Sequence, residues 1–287
     1  MNSKQLSWII KREAVDMTNR SGASHIASIL SVSDIVAVLM NDIAVLNPKN
    51  PADDKRDRII LSKGHAGVSL YVCLALKGFF DVDILSTYEE NGSILSGHVS
   101  HKTVPGVDFS TGSLGHGLSV GSGMAYALLE KGNLTSRVFV ILGDGECDEG
   151  SIWESALVSN HFNLGNLIAV VDHNKMQSLD YCEKTLELSP FESKWKSFGW
   201  NVVKCQHGNN THYIKAAFKR AIEIGNRTKK PTVIIADTVK GSGISFMENN
   251  ILWHYRYPHD GKEYEEAVNE LNESRPKGAI APCEVKK

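Results

Sequence analysis

The chain has 287 residues with 31 basic and 33 acidic side chains, which gives a formal net charge of -2 at pH 7. This length suits one large α/β domain, and the near-neutral charge argues against nucleic acid or a membrane as partners bound through bulk charge. Five cysteines without a CxxC spacing indicate neither a disulfide framework nor a zinc site, so we expect a reduced, cytoplasmic protein.

The N-terminal third predicts helices around one short strand. Leu6, Ile9, Ile10, Ala14 and Met17 recur at helical spacing and indicate an opening amphipathic helix. Charged residues interrupt this segment, so it lacks the apolar core of a signal peptide. We find no run of about 18 apolar residues and expect no membrane span. The next predicted elements are a helix capped by Ser33-Asp34 and running through 39–40, a loop at 47–58, a strand at 58–61, a helix at 68–76 and a turn-rich, substrate-facing region at 81–110.

The rest of the chain alternates apolar strands with helices. We predict a helix at 112–131 with a glycine-rich start that packs close to another backbone, strands at 138–142 and 167–171 around a helix at about 150–161, a strand at 200–204, a helix at 212–225 and a strand at 232–237. This alternation predicts an α/β fold with a mostly parallel, doubly wound sheet flanked by helices. We expect residues 1–287 to form a single domain. Ligands of such sheets bind beyond the carboxyl ends of the strands.

Two strand ends carry the most informative residues. One apolar run ends in Gly143-Asp144-Gly145, and the run that ends at 171 leads into Asp172-His173-Asn174. Asp144 and Asn174 offer hard oxygen ligands that suit Mg²⁺ or Ca²⁺ bridging to a diphosphate, and the glycines let backbone N–H groups approach phosphate oxygens. Taken alone, Asp144 could cap the following helix and Asn174 could be a turn residue; together they favour a metal site.

This pattern resembles a known family. A GDG sequence followed about 30 residues later by asparagine is the binding signature for thiamin diphosphate (ThDP). Further segments resemble the transketolase branch of that group: 61–66 (LSKGHA), 97–98 (GH), 105–107 (PGV), 111–117 (TGSLGHG), 21–34 and 253–254 (WH). The chain is thus similar to transketolases from about residue 5 to 260, in the order of the family's motifs.

The resemblance implies a cofactor and a metal site. The metal, Mg²⁺ or Ca²⁺, would be held by Asp144, Asn174 and the backbone carbonyl of Met176. The residues implied for ThDP are His65, Gly112, Ser113, Leu114, Gly143, Asp144, Gly145, Glu146 and Asn174. Gly145 and the N-terminus of the helix after it are expected to meet the diphosphate. The segment after Met176 is one residue longer than usual, so the side chain that contacts the thiazolium stays open.

The resemblance also implies catalytic residues. His65 matches a histidine near the reaction centre, and the family histidines that face substrate oxygens correspond to His25, His98 and His254, with Asp34 following the first of these at the family's spacing. Such groups can donate to a developing alkoxide and move hydroxyl protons near pH 7. Glu149 matches a glutamate at the interface between two active sites; from the residues alone it is equally a first-turn glutamate favoured by the helix dipole.

Other interpretations of the motifs fit less well. His98 and His101 lie three residues apart, but no third zinc ligand is evident. The glycines at 112–117 do not follow an apolar strand, so a dinucleotide-binding loop is disfavoured. The residues after His25 and His254 depart from the family pattern, which leaves the substrate open.

The implied function is that of an N-terminal subunit of a split transketolase. It would transfer a two-carbon ketol unit from a ketose, or its phosphate, to an aldose, and only with a C-terminal subunit that supplies the pyrimidine-binding half. The alternatives are a subunit like 1-deoxyxylulose-5-phosphate synthase or the α subunit of a 2-oxo acid dehydrogenase, or a non-catalytic binding or regulatory subunit. Intact Asp144, Asn174 and His65 disfavour the last.

The missing half implies an exposed apolar face. We expect this chain to form a homodimer core within an α₂β₂ assembly, because obligate interfaces resemble a domain core cut in two. The residues predicted for that face are Val120, Met124, Ile152 and Val158.

Overall fold

A computed structural model describes residues 1–285 and shows helices on both sides of a five-stranded sheet. The α-helices among these residues are α1 (Ser3–Ser21), α2 (Ile26–Val38), α3 (Gly67–Leu76), α4 (His116–Glu130), α5 (Gly150–His161), α6 (Cys182–Thr185), α7 (Phe191–Ser197), α8 (Thr211–Thr228), α9 (Lys262–Glu273) and α10 (Pro282–Val285). The strands are β1 (Arg58–Leu61), β2 (Val138–Gly143), β3 (Leu167–His173), β4 (Asn201–Cys205) and β5 (Thr232–Asp237).

The sheet has the order β1-β2-β3-β5-β4, and every neighbouring pair is parallel. The three inner strands are buried along almost their whole length, as expected for a parallel sheet covered on both faces. The carboxyl ends of β1, β2 and β3 therefore meet at one edge, where Gly143 is in register with Asp172.

The two faces of the sheet contact different groups of helices. On β2, Phe139 and Ile141 belong to the core that includes α1, α2, α3, α8 and α9, whereas Val138, Val140 and Leu142 belong to the core that includes α4, α5 and α7. The alternation follows from the two-residue period of a strand. This arrangement confirms the predicted doubly wound α/β fold.

Helix α4 packs unusually close to the sheet, as its glycine-rich start predicted. A Cβ atom at Gly121 would lie 2.5 Å from Cγ2 of Val140, and one at Gly117 would collide with the Ser62 side chain. Both positions therefore require glycine for close approach. The close packing holds the segment before α4 near the exit of β1.

The start of the second helix was predicted wrongly. Helix α2 begins at Ile26, so Ser33 and Asp34 lie inside it rather than at its cap. Asp34 instead forms an ion pair with Lys11 at 3.1 Å and accepts a 2.8 Å hydrogen bond from Ser7, both on α1. A tertiary ion pair between two core helices thus replaces the predicted capping role.

Helix α2 also corrects the expectation about apolar runs. It continues through a π-helical turn at Leu39–Ile43, and the 18-residue stretch Ile26–Ile43 has a mean hydropathy of 1.7. That stretch is long and apolar enough to cross a membrane by length and composition alone. However, 83% of it is buried inside the domain, so its apolar residues have a packing role as a central core helix.

Candidate active site

A cavity of about 250 Å³ lies beyond the carboxyl ends of β1, β2 and β3. Its lining includes the following residues predicted from the sequence: His25, His65, His98, Gly112, Leu114, Gly143, Asp144, Gly145, Glu146, Asn174, Met176 and His254. The fold therefore gathers into one cleft residues that are spread over more than 200 positions of the chain.

Asp144 follows the last residue of β2 and is only 2% exposed. Its carboxylate accepts backbone hydrogen bonds from Gly145 at 2.9 Å and from Lys175 at 2.5 Å. Burial raises the pKa of Asp144, as does the neighbouring Asp172, while His173 lowers it. Within residues 1–285, no lysine or arginine forms an ion pair with this carboxylate.

Asn174 lies just beyond β3, with its side chain fixed by neighbours. Its Nδ2 donates to Ser31 at 3.3 Å and to Asp172 at 3.4 Å, and its Oδ1 accepts from the backbone N–H of Met176 at 3.1 Å. Lys175 has a positive φ of 67°, which turns the chain between Asn174 and Met176.

These residues fit the predicted cation site in composition. The described part of the chain holds no group of three or more His, Cys, Asp or Glu side chains able to bind a metal. A cation at Asp144 would therefore be held by one carboxylate, amide and carbonyl oxygens, and oxygens of a ligand. That donor set suits Mg²⁺ or Ca²⁺ bound together with a diphosphate.

Four histidines form the other wall of the cleft. The ring centroid of His25 lies 5.0 Å from that of His65, 5.0 Å from that of His254 and 6.2 Å from that of His98. The backbone also links these segments, because the N–H of His25 donates to the carbonyl of His254 at 3.0 Å. His25 occupies a left-handed conformation, with φ 76°, at the start of α2.

Three of these histidines are held neutral by their surroundings. Burial, followed by His98 and Lys240, lowers the pKa of His25 to about 4. Burial and Lys240 lower the pKa of His254 to about 3, and burial with Lys63 lowers the pKa of His65 well below its usual value. Near pH 7 all three rings are therefore uncharged, and each has one donor and one acceptor nitrogen.

Only some of the residues predicted to bind the cofactor in the segment before α4 line the cleft. Gly112 and Leu114 line the cleft, whereas Ser113 is exposed and lies outside the lining. A Cβ at Gly112 would lie 3.5 Å from Cδ2 of His98, so this backbone passes close to the histidine wall. His101 is turned to Ser110, with 2.8 Å between Nδ1 and Oγ, and takes no part in the cleft.

Glu149 is exposed at the start of α5 and does not line the cleft. Its side chain makes no capping hydrogen bond to that helix, and its Cβ packs against Gly115, where an added Cβ would approach to 2.8 Å.

The helix after Gly145 was expected to meet the diphosphate with its N-terminus, but its position differs from that expectation. Gly145 begins a 3₁₀ turn, Gly145–Asp148, and α5 starts later, outside the lining.

The structure shows which side chains of the loop after Met176 reach the cleft. Gln177 and Ser178 both line the cleft. Nε2 of Gln177 donates to Asp148 at 2.5 Å, and its Cγ would lie 2.7 Å from a Cβ at Gly145. Gln177 is therefore the side chain packed against the glycine that follows Asp144.

Two buried lysines were not predicted. Lys63 is 2% exposed and pairs with Asp172 at 2.5 Å. Lys240, also 2% exposed, donates to Ser28 at 3.2 Å, and burial followed by Lys63 lowers its pKa to about 8. Both line the cleft, and Lys240 forms no ion pair with a carboxylate within residues 1–285, so it offers a positive charge that can attract an anionic ligand. Both lysines follow shortly after the carboxyl ends of β1 and β5, and this position in the sequence could have identified them as cleft residues.

Comparisons with known proteins agree with the motifs. Residues 3–257 match the family model described as "Transketolase, thiamine diphosphate binding domain". The chain is 40% identical over 264 residues to one subunit of the apulose-4-phosphate transketolase of Phocaeicola vulgatus, covering 92% of this chain and 91% of that protein. It is 38% identical over 246 residues to the 6-deoxy-6-sulfo-D-fructose transketolase subunit SqwG of Clostridium sp., covering 86% and 88%.

Solved structures extend the match to the fold. A transketolase of Pichia stipitis, in its R525L form, superposes with a TM-score of 0.87 at 27% identity, over 99% of this chain and 43% of that one. The transketolase of Campylobacter jejuni gives a TM-score of 0.86 at 26% identity, over 96% and 43%. The chain thus spans less than half of these longer transketolases. It belongs to the transketolase family and corresponds to the family's thiamine diphosphate-binding domain.

Proposed function

We propose that this chain is the ThDP-binding subunit of a two-chain transketolase that moves a two-carbon ketol unit from a ketose, or its phosphate, to an aldose. One observation carries the proposal: a single cleft joins the Asp144–Asn174 edge of the sheet to the wall of four histidines. Relatives of similar length are named as transketolase subunits, which supports a partner chain.

The metal and the diphosphate of the cofactor would lie at the Asp144 end of that cleft. Asp144, Asn174 and the Met176 carbonyl would hold Mg²⁺ or Ca²⁺ against the diphosphate, and Lys240 would offset part of its charge. When bound, ThDP supplies the carbanion chemistry that breaks and forms the C–C bond. Its proposed contacts along the cleft include Gly112 and Leu114.

The histidines would handle the protons of the sugar hydroxyls. Because His25, His65 and His254 are neutral near pH 7, each imidazole can accept a proton at one ring nitrogen and donate a hydrogen bond from the other. We place His98 on the same wall as a donor to the substrate oxygen where negative charge develops. Glu149, exposed at the edge of the domain, would act at an interface with another subunit.

The proposed assembly is α₂β₂, built on a homodimer of this chain. Helices α4 and α5 expose apolar side chains that include Tyr126, Leu157 and Val158, and Phe162 follows directly after α5, with 4.8 Å between the Tyr126 and Phe162 ring centroids. Val120 and Met124 are half-buried beside them. Ile152, however, is fully buried in this chain's own core, so its assignment to the interface was wrong.

The assembly proposal can be tested at one exposed position. Val158→Asp on α5 should dissociate the homodimer, because it places a charge in an apolar contact, while the free energy of unfolding of the isolated chain stays within about 0.5 kcal/mol. Tyr213→Asp, on α8 at the opposite face of the sheet, serves as the control. Sedimentation velocity that finds both variants dimeric would exclude this face.

We further propose a cytoplasmic location, which suits the five free cysteines, and sugars or sugar phosphates as ligands rather than nucleic acid or membrane. The substrate pair is open, since the relatives are named for two different sugars.

One mixing experiment tests the function. The chain, a candidate C-terminal partner and their mixture are assayed with ThDP, Mg²⁺, xylulose 5-phosphate and ribose 5-phosphate, and then with the sugars named for the relatives. We expect ketol transfer only from the mixture. Turnover by this chain alone would refute the two-chain proposal, and decarboxylation of pyruvate by the mixture without ketol transfer would favour the alternatives.

A further inference from the structure

The carboxylate of Glu146 joins three separate segments of the cofactor cleft. Its Oε1 accepts from the Ser62 hydroxyl and from the Gly115 backbone N–H at 2.9 Å, and its Oε2 accepts from the Gly143 backbone N–H at 3.1 Å. The side chain is 1% exposed. We propose that Glu146 is a positioning residue that holds these three segments together and does not itself bind the cofactor; this rests on the proposed ThDP function.

Each donor lies next to a residue assigned to the cleft. Ser62 precedes Lys63 and lies three positions before His65, Gly115 follows Leu114, and Gly143 precedes Asp144. Ser62 also accepts a 3.1 Å hydrogen bond from the backbone N–H of Gly117, which extends the connection to the first turn of α4. One carboxylate therefore couples the exits of β1 and β2 to the segment before α4.

The geometry requires a carboxylate in particular. Backbone N–H groups point at both oxygens, so both must accept hydrogen bonds. A glutamine would present one oxygen and one NH₂ group, and the NH₂ would face a backbone donor. Direct contact between Glu146 and a diphosphate would bring two negative charges together, which is unfavourable.

The test compares Glu146→Gln with a matched buried carboxylate elsewhere. Glu13 on α1 is 2% exposed and accepts a 2.6 Å backbone hydrogen bond from Cys283, outside the cleft. The dissociation constant for ThDP, at saturating Mg²⁺, is measured by calorimetry on the complex with the C-terminal subunit. The unfolding of each chain without ligand is measured in urea.

We expect Glu146→Gln to weaken ThDP binding by about 10–100-fold, the usual effect of removing a residue that orients binding groups. Glu13→Gln changes another buried, hydrogen-bonded carboxylate but should leave the dissociation constant for ThDP unchanged. Ser62→Ala should weaken binding less in the Glu146→Gln background than in the wild type, because the two residues share one hydrogen bond.

The outcomes separate this inference from the proposed function. A wild-type complex that binds no ThDP would overturn the proposed function and the positioning role with it. Wild-type binding with equal affinity in Glu146→Gln, or equal losses of affinity in Glu146→Gln and Glu13→Gln, would overturn the positioning role alone.

Discussion

Two buried aspartates lie next to each other at the carboxyl edge of the sheet, but their partners differ. Asp172, at the end of β3, accepts hydrogen bonds from Lys63 and Ser31 at 2.5 Å each and another from Thr238. Burial alone would raise the pKa of Asp172, but Lys63 and these hydrogen bonds outweigh it and lower the value. Asp144, at the end of β2, accepts hydrogen bonds from two backbone N–H groups and has no lysine or arginine partner within residues 1–285, and its pKa is raised.

We infer from this difference that Asp172 stabilises the fold, whereas Asp144 would serve the proposed metal and cofactor. A buried charge without a partner is costly, so under the proposed function a cation would complete the carboxylate of Asp144. The Nδ1 atoms of His25 and His254 are buried and have no hydrogen-bond partner within residues 1–285, so they would likewise be available to the proposed substrate. Variants should therefore damage either folding or ligand chemistry, according to the residue.

The largest effect is expected at His65 and should appear in the rate. His65→Ala in the assembled enzyme should slow ketol transfer by about 10²–10⁴-fold, the usual contribution of a positioned acid or base, with the metal content unchanged. His101→Ala, which removes a histidine bonded to Ser110, is the matched control. A rate within twofold of wild type for His65→Ala would show that His65 has a structural role and not a catalytic one.

Asp172→Asn should act on the fold instead. It leaves Lys63 buried without a counter-charge, so the free energy of unfolding should fall by about 3–5 kcal/mol in a urea titration. The double variant Asp172→Asn/Lys63→Met should regain much of that loss, because the unpaired cation is removed. A single variant as stable as the wild type would show that the pair does not hold this edge of the sheet.

A smaller effect is expected on the pH dependence of the free energy of unfolding, through the buried histidines His25 and His254. The folded-state pKa values of His25 and His254, about 4 and about 3, lie below the unfolded value, so the unfolded chain binds more protons between those values and about pH 6.5. Stability should therefore fall as pH falls through that range. Lys240 and Lys63 oppose the protonation of both rings, and His98 also opposes that of His25, whereas His65 is a neutral ring neighbour of both.

The matching measurement is the pH dependence of unfolding. His25→Gln/His254→Gln should give a flatter profile than the wild type between pH 6.5 and 4. His161→Gln, at an exposed position at the end of α5, should leave the profile unchanged. Identical slopes for all three proteins would mean that both rings can take up protons without cost.

Much of the fold followed from local patterns. Strands β1 and β5 begin and end where predicted, and β2, β3 and β4 differ by one or two residues, because buried parallel strands are continuous apolar runs between turns. The two strand ends also predicted the Asp144–Asn174 edge, since carboxyl ends converge in such sheets.

The rest depended on contacts between distant residues. Nothing in the local sequence says that Lys63 meets Asp172, 109 positions later, or that Asp34 would pair with α1 rather than cap α2. The wrong assignment of Ile152 was avoidable. It lies six residues before Val158, which places the two side chains about 120° apart around the helix, so Ile152 points to the core when Val158 is exposed.

Asp144 is the carboxylate that we propose binds a metal and its diphosphate ligand. Asp57 is a matched control, because it is also a buried aspartate with two backbone donors, Val45 at 2.8 Å and Arg137 at 2.7 Å, at the opposite edge of the sheet. The measurement is unfolding of the assembled complex with and without Mg²⁺ and ThDP, for wild type, Asp144→Ala and Asp57→Ala.

At ligand concentrations of about 100 times the dissociation constant, the wild type should gain about 2.7 kcal/mol. Asp57→Ala should be less stable without ligand but gain the same amount when the ligands are added. Asp144→Ala should gain nothing. An undiminished gain in Asp144→Ala would contradict the proposed metal site, because the cofactor would then bind without this carboxylate.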